Sequence, residues 1–189
     1  MLRQACRQLV VWLGEGRDLA MAVNVSPRQL DGAGMAADVA AVLDLHDLPG
    51  DRLVLEVAEG GLDPDTGPVC EQLGALRALG VRTALDDFGA GATSLTHLRR
   101  LPMDMVKIGR SFFDEPTARL GEPLPIIDVM VGLGRRLGIE IVAAGLEEPG
   151  HLDTVRRAGC RLGQGHLLAR PQPAEHVEAY LDGFRARPV

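Results

Sequence analysis

The sequence predicts an α/β fold: a partial TIM-type (βα) barrel of about six parallel strands with helices outside, the first strands of the barrel missing. Three observations carry that expectation. Apolar spacing switches repeatedly between a helical period and short runs, so helices and strands alternate along the chain. The first element reads as a helix, like the tail of a βα unit whose strand is absent. Six strands over 189 residues fall two short of an eight-stranded barrel, which needs about 250 residues. A doubly wound open sheet is the alternative, and no GxGxxG follows the first strand to support it.

The elements follow in order. LRQACRQLVVWL (2–13) places Leu2, Cys6, Leu9 and Leu13 on one helical face, and AMAVNVS (20–26) reads as a strand. GMAADVAAVLDLH (34–46) is helical and RLVLEVAE (52–59) a strand. PVCEQLGALRALG (68–80) is a helix stopped by Gly80, before the strand RTALDDF (82–88). A short helix is expected around SLTHLRRL (94–101), then the strand MDMVKIG (103–109). PIIDVMVGLGRRLG (125–138) is a helix ending at Gly138, and IEIVAAG (139–145) a strand. Pro149 opens a helix to about Ala158, as proline does in a first turn; RLGQGHLL (161–168) is a strand and AEHVEAYLDGF (174–184) a last helix. The whole reads as one incomplete domain over 1–189.

Composition narrows the function. A net charge of −6 and a pI near 5.3 argue against a broad nucleic-acid footprint, and 3% aromatics leave few base-stacking platforms. Neither opposes one phosphorylated ligand held by metal ions, which can reverse a local field. Cys6, Cys70 and Cys160 are scattered and read as reduced core thiols of a cytoplasmic chain. The five histidines lack HxH or HxxxH spacing, so a histidine-based metal site is not expected. No apolar run reaches the roughly 18 residues of a membrane span.

The segment TALDDFGAGATSL (83–95) is the most conspicuous. Asp86 and Asp87 are adjacent at a strand end, and two like charges this close disfavour each other without a compensating cation or hydrogen bonds. Either the pair is solvated or it holds a metal. Alternation along the strands extends the pattern. Asn24, Glu56, Asp86, Lys107 and Gln164 stand near the C-terminal ends of five strands, preceded on the same face by Ala22, Val54, Ala84, Met105 and Leu162. The sixth strand delivers Ala144. In a barrel that face points inward, and its C-terminal rim is where active sites are built. Asn24, Glu56, Asp86 and Asp87 are hard oxygen donors suited to Mg²⁺, Mn²⁺ or Ca²⁺. Two such ions could support phosphodiester hydrolysis, with Lys107 orienting water or neutralising charge. Gly89 and Gly91 would let the next loop move over a substrate.

At these residues the chain resembles the EAL domains, phosphodiesterases of the bacterial messenger cyclic di-GMP. VNVSPRQL (23–30), LEVAEGG (55–61), LDDFGAGATSLTHLRRLPMDMVKIGRSFF (85–113) and GIEIVAAGLEEPGHLDTVRRAGCRLGQGHLLARP (138–171) are similar to that family's signature segments. The resemblance implies a modified eight-stranded βα barrel. It makes Asn24, Glu56 and Asp86 metal ligands for Mg²⁺ or Mn²⁺, with Asp87 in a second metal site. It puts Lys107 near the hydrolytic water, Glu59 in support of the glycine loop at Gly89 and Gly91, Glu147 and Gln164 in the ring, and Arg110 with Gln164 on the substrate.

The departures matter as much. The Glu-Ala-Leu segment that names the family is absent. Lys-Ile-Asp is Lys107-Ile108-Gly109, which removes a second-metal carboxylate, and Ala-Glu-Gly is Ala143-Ala144-Gly145, which removes the proposed general base. Loss of a general base costs roughly 10²–10⁴ in rate. The expectation is a signalling domain with hydrolysis lost or weak, keeping metal, cyclic di-GMP or partner binding. The expected partners are a homodimer mate or an upstream sensory or regulatory chain. The alternative is a weak phosphodiesterase completed by upstream sequence or a partner chain.

Overall fold

The computed structural model describes residues 1–32, 34–60, 67–89, 98–113 and 126–185. Among them six strands form one parallel sheet in sequential order: β1 (Met21–Val25), β2 (Leu53–Ala58), β3 (Arg82–Phe88), β4 (Met105–Ile108), β5 (Glu140–Ala144) and β6 (Leu162–Gln164). The strand order never reverses, as it must at the switch point of a doubly wound sheet. The fold is therefore a singly wound half-barrel, with β1 and β6 as its edges. The described helices are α1 (Leu2–Gly14), α2 (Pro27–Asp31), α3 (Met35–His46), α4 (Gly67–Ala78), α5 (Ile126–Leu137), α6 (Pro149–Arg157) and α7 (Ala174–Arg185).

Alternation along the strands separates two environments. Val23, Leu55, Leu85, Val106 and Ile141 face outward into the large core, where they meet helix residues such as Leu9, Val39, Leu73 and Ile127. The other face carries a smaller apolar layer of Val54, Ala84 and Met105, flanked by Val142 and Leu162. This layer is the floor beneath the polar rim, at the positions that period-two spacing assigns to it.

Several boundaries differ from the sequence reading. The last strand ends at Gln164, not at 168, because residues after it turn against the segment that follows β5: Leu167 N–H donates to Leu146 O at 2.9 Å. The short helix α2 was not expected. It is set by Ser26 and Gln29, whose Oε1 accepts the Ser26 N–H at 3.0 Å, with Pro27 at the first helical position. Gly80 and Gly138 end their helices as expected, at φ +79 and +71. Half of the helix expected over 94–101, residues 94–97, lies outside the described residues.

One close backbone approach positions the end of β6. A Cβ on Gly165 would lie 2.1 Å from Leu146 O and 2.3 Å from Leu146 N, both main-chain atoms that cannot swing aside. The same strand end is tied by Leu146 N–H donating to Gln164 O at 3.0 Å. Gly165→Ala is expected to lower unfolding stability by about 1–3 kcal/mol. Gly109→Ala, whose Cβ meets nothing within 4 Å, is expected to be near neutral in the same chemical denaturation series.

Candidate functional site

The polar residues gather at the C-terminal ends of the strands, above the small apolar layer. Lys107 rises from β4, every residue of which is buried, and is itself 5% exposed. Its Nζ stands 2.8 Å from Glu56 Oε2 and 3.1 Å from Asp86 Oδ1. The carboxylate side chains are 12% and 21% exposed, so this ion-paired triad is shielded from bulk screening. Burial by itself disfavours the ammonium. The hydrogen bonds to Glu56 and Asp86, and the charges of both, outweigh it and raise the Lys107 pKa above the ordinary lysine value.

The adjacent aspartates are explained by an irregularity in β3. Leu85 pairs with Val106 and Phe88 with Ile108, so Asp86 and Asp87 together oppose the single residue Lys107. This is a bulge. Leu85 and Phe88 both join the outer core, while both aspartates line one cleft on the inner side. Asp87 takes φ +56, a left-handed conformation that aspartate tolerates better than most residues, and its N–H donates to Asp86 Oδ1 at 3.0 Å. Without the extra residue, alternation would turn Asp87 to the helix side.

That cleft, of about 470 Å³, is lined by Asp86, Asp87, Lys107, Ala144, Glu147 and Gln164, with His166 and Arg170 on the far wall. Glu147 is paired with Arg110, Nη1 to Oε2 at 2.6 Å. Both are more than two-fifths exposed, so the pair orients the rim and contributes about 0–1 kcal/mol to stability. Glu59, buried, accepts the Gly89 N–H on Oε2 at 2.9 Å. Gly89 has φ +92. Gly91 lies outside the described residues.

Asn24 is the exception to the expected ring. It pairs in register with Glu56, but it is exposed on the β1 edge and lines a separate cleft of about 410 Å³ with Met1, Arg3 and Gln29. Its separation follows from its place on an edge strand, with no strand beyond it among the described residues.

Two contributors, His151 and Arg170, escaped the sequence reading. His151 is buried, and its Nδ1 accepts the N–H groups of Glu147 and Glu148 at 3.3 Å each, fixing the backbone that carries Glu147. Its signal was its place three residues after Glu148 at a helix start. His166 and Arg170 line the cleft from beyond β6. A further signal lay in plain counting. Lys107 is the only lysine in the chain, so of 20 basic residues the other 19 are arginine.

The donor chemistry of Glu56 and Asp86 suits a hard divalent ion. The space between them, however, is taken by the Lys107 ammonium. Among the described residues no group of three or more Asp, Glu, His or Cys side chains stands close enough to hold a metal ion. Glu56 and Asp86, joined here through Lys107, are the donors that would hold such an ion.

A parallel half-barrel with acids, a lysine and a glutamine gathered at the C-terminal rim has the architecture of a βα-barrel site domain. The chain belongs to the EAL domain family, which it matches over residues 1–171. It is 40% identical over 180 residues to the bifunctional diguanylate cyclase/cyclic di-GMP phosphodiesterase MucR of Pseudomonas aeruginosa, covering 95% of this chain and 26% of that protein. It is 33% identical over 168 residues to the cyclic di-GMP phosphodiesterase RocR of the same organism, covering 89% and 43%. Among solved structures, the MucR phosphodiesterase in complex with c-di-GMP superposes with a TM-score of 0.81 at 39% identity, covering 93% of this chain and 76% of that one. The EAL domain of Mycobacterium smegmatis DcpA gives 0.85 at 34%, covering 96% and 82%. The chain thus spans about a quarter of the length of MucR. No helix among the described residues is long and apolar enough to cross a membrane.

The raised Lys107 pKa fixes a pH dependence. A raised folded-state value gives stability that is complete below the unfolded lysine pKa, about 10.4, and is lost as pH rises through the folded value. Lys107→Met is expected to cost roughly 3 kcal/mol at neutral pH by leaving Glu56 and Asp86 uncompensated. In guanidinium unfolding, the gap from wild type should stay constant as pH rises towards the ordinary lysine range and shrink only above it.

Proposed function

We propose that this chain is a cyclic di-GMP signalling domain of the EAL type, with impaired phosphodiesterase chemistry and a retained binding role. The observation that carries this reading is the composition of the rim. Ala144 lines the cleft beside Asp86, Asp87 and Lys107, and Gly109 follows β4 directly, both at positions where the family resemblance implies carboxylates. Gly109 has ordinary extended backbone, φ −79, and open space where a Cβ would stand, so the fold would admit an acid there.

In this reading Gln164 and Arg110 contact the dinucleotide, and Lys107 and Glu147 are what remains of the catalytic set. Asn24, Glu56, Asp86 and Asp87 are the oxygen donors left from the metal sites, and Glu59 supports the loop that begins at Gly89 and includes Gly91. The domain spans 1–189 and works in the bacterial cytoplasm. The names of the relatives, several of them cyclic di-GMP phosphodiesterases, support the ligand class.

A second reading is favoured by the sheet edges. β1 and β6 have no further strand beside them among the described residues, so upstream sequence or a partner chain, a second copy included, could complete the barrel and leave a weak phosphodiesterase. Chromatographic assay of cyclic di-GMP conversion to the linear dinucleotide separates the readings. The wild-type chain is expected to be nearly silent, and Gly109→Asp/Ala144→Glu to raise turnover by about 10²-fold or more. Rapid turnover by the wild-type chain alone would contradict the proposal.

A further inference from the structure

We propose that the foot of the sheet, at the end opposite the polar rim, carries a second ligand site: a cleft between α5, β5 and β6 that takes a small anionic amphiphile, a medium-length acyl chain ending in one carboxylate. It shares no lining residue with the rim cleft and is independent of the function proposed above.

The cleft, of about 290 Å³, is near the lower bound of about 300 Å³ for small-molecule sites. Its walls come from the second half of α5 and the first residues of β5 and β6. Val131, Ile139, Ile141 and Leu162 supply apolar surface. Cys160 adds to that surface. It is buried, its Sγ donates to Ile141 O at 3.2 Å, and burial pushes its pKa up, so the thiol stays neutral. Gly134, Gly138 and Gly159 line the remainder without side chains. A Cβ on Gly159 would come within 2.7 Å of Arg135 Nη2, narrowing the mouth between that side chain and the main chain.

The mouth is cationic in a chain of net charge −6. Arg135 and Arg161 both line it and both are exposed. Arg135 Nη2 stands 3.5 Å from the carbonyl oxygen of Gly159, two residues before Arg161, so the two arginines belong to one end of the cleft. Neither is ion-paired with an acid among the described residues. One acid, Glu140, shares the lining with them, which leaves one positive charge in excess. The planar fork of arginine matches a carboxylate with two parallel hydrogen bonds. An anion with an apolar tail suits both halves of the cleft: its head meets the guanidiniums, and its chain covers the apolar wall, where each buried CH₂ adds to affinity. An inorganic anion would leave that wall uncovered, and an apolar cation would face the arginines.

Octanoate is the probe. Calorimetry on the full chain is expected to give a Kd of about 1 mM or tighter. Amide chemical-shift mapping by NMR is expected to confine the changes to residues 131–141 and 159–162. Arg135→Gln/Arg161→Gln changes two exposed side chains and is expected to weaken octanoate at least about tenfold. Octylammonium, with the same chain and the opposite charge, is expected to bind wild type at least about tenfold more weakly than octanoate does. A weaker octanoate Kd, shifts centred on the rim, or equal affinity in the double variant or for octylammonium overturns the inference. If the double variant does not fold, the comparison of octanoate with octylammonium on wild type decides.

Discussion

The contact of one ammonium with two carboxylates, Lys107 between Glu56 and Asp86, organises the inner face of this half-barrel. It joins β2, β3 and β4 through side chains at the level where the backbone ladder gives way to loops. Buried charges are costly unless paired, so each of these three residues makes the other two tolerable. The same contact sets the local charge, one ammonium between two carboxylates.

The rest of the site is built so that this contact can form. The bulge at Asp86 and Asp87 gives β3 one more residue than β4 opposite Lys107, which turns both acids inward and returns Phe88 to the core. At the far side, Gly165 allows the chain after β6 to lie against the Leu146 main chain, and His151 holds the amides of Glu147 and Glu148. These are backbone devices. They act on where side chains start, and the polar groups at the rim follow.

Much of this was legible in the sequence. Alternating helix and strand patterns gave the order of elements, and period two placed Glu56, Asp86, Lys107 and Gln164 on one face above Val54, Ala84, Met105 and Leu162. Local patterning reports which face a residue takes, and these residues sit in regular strands. What stayed hidden depends on partners far along the chain. The bulge exists only in the register of β3 against β4, so nothing local separates Asp87 from a residue turned to the helices. Asn24 obeys the same alternation as Glu56, but its cleft is decided by its edge position. The end of β6 at Gln164 depends on the Leu146 main chain, which no run of apolar residues announces. The capping pair Ser26 and Gln29 and the solitary lysine were readable and carried more information than their length suggests.

Because Lys107 is the only lysine, ¹⁵N-lysine labelling places one side-chain nitrogen signal in the whole protein. Its NMR spectrum therefore tests the central contact most directly. A folded-state ammonium resonance that exchanges slowly with water, displaced from the free-lysine shift and moved by Glu56→Gln and by Asp86→Asn, is the predicted result. A rapidly exchanging signal at the free-lysine position, indifferent to both substitutions, would contradict the account.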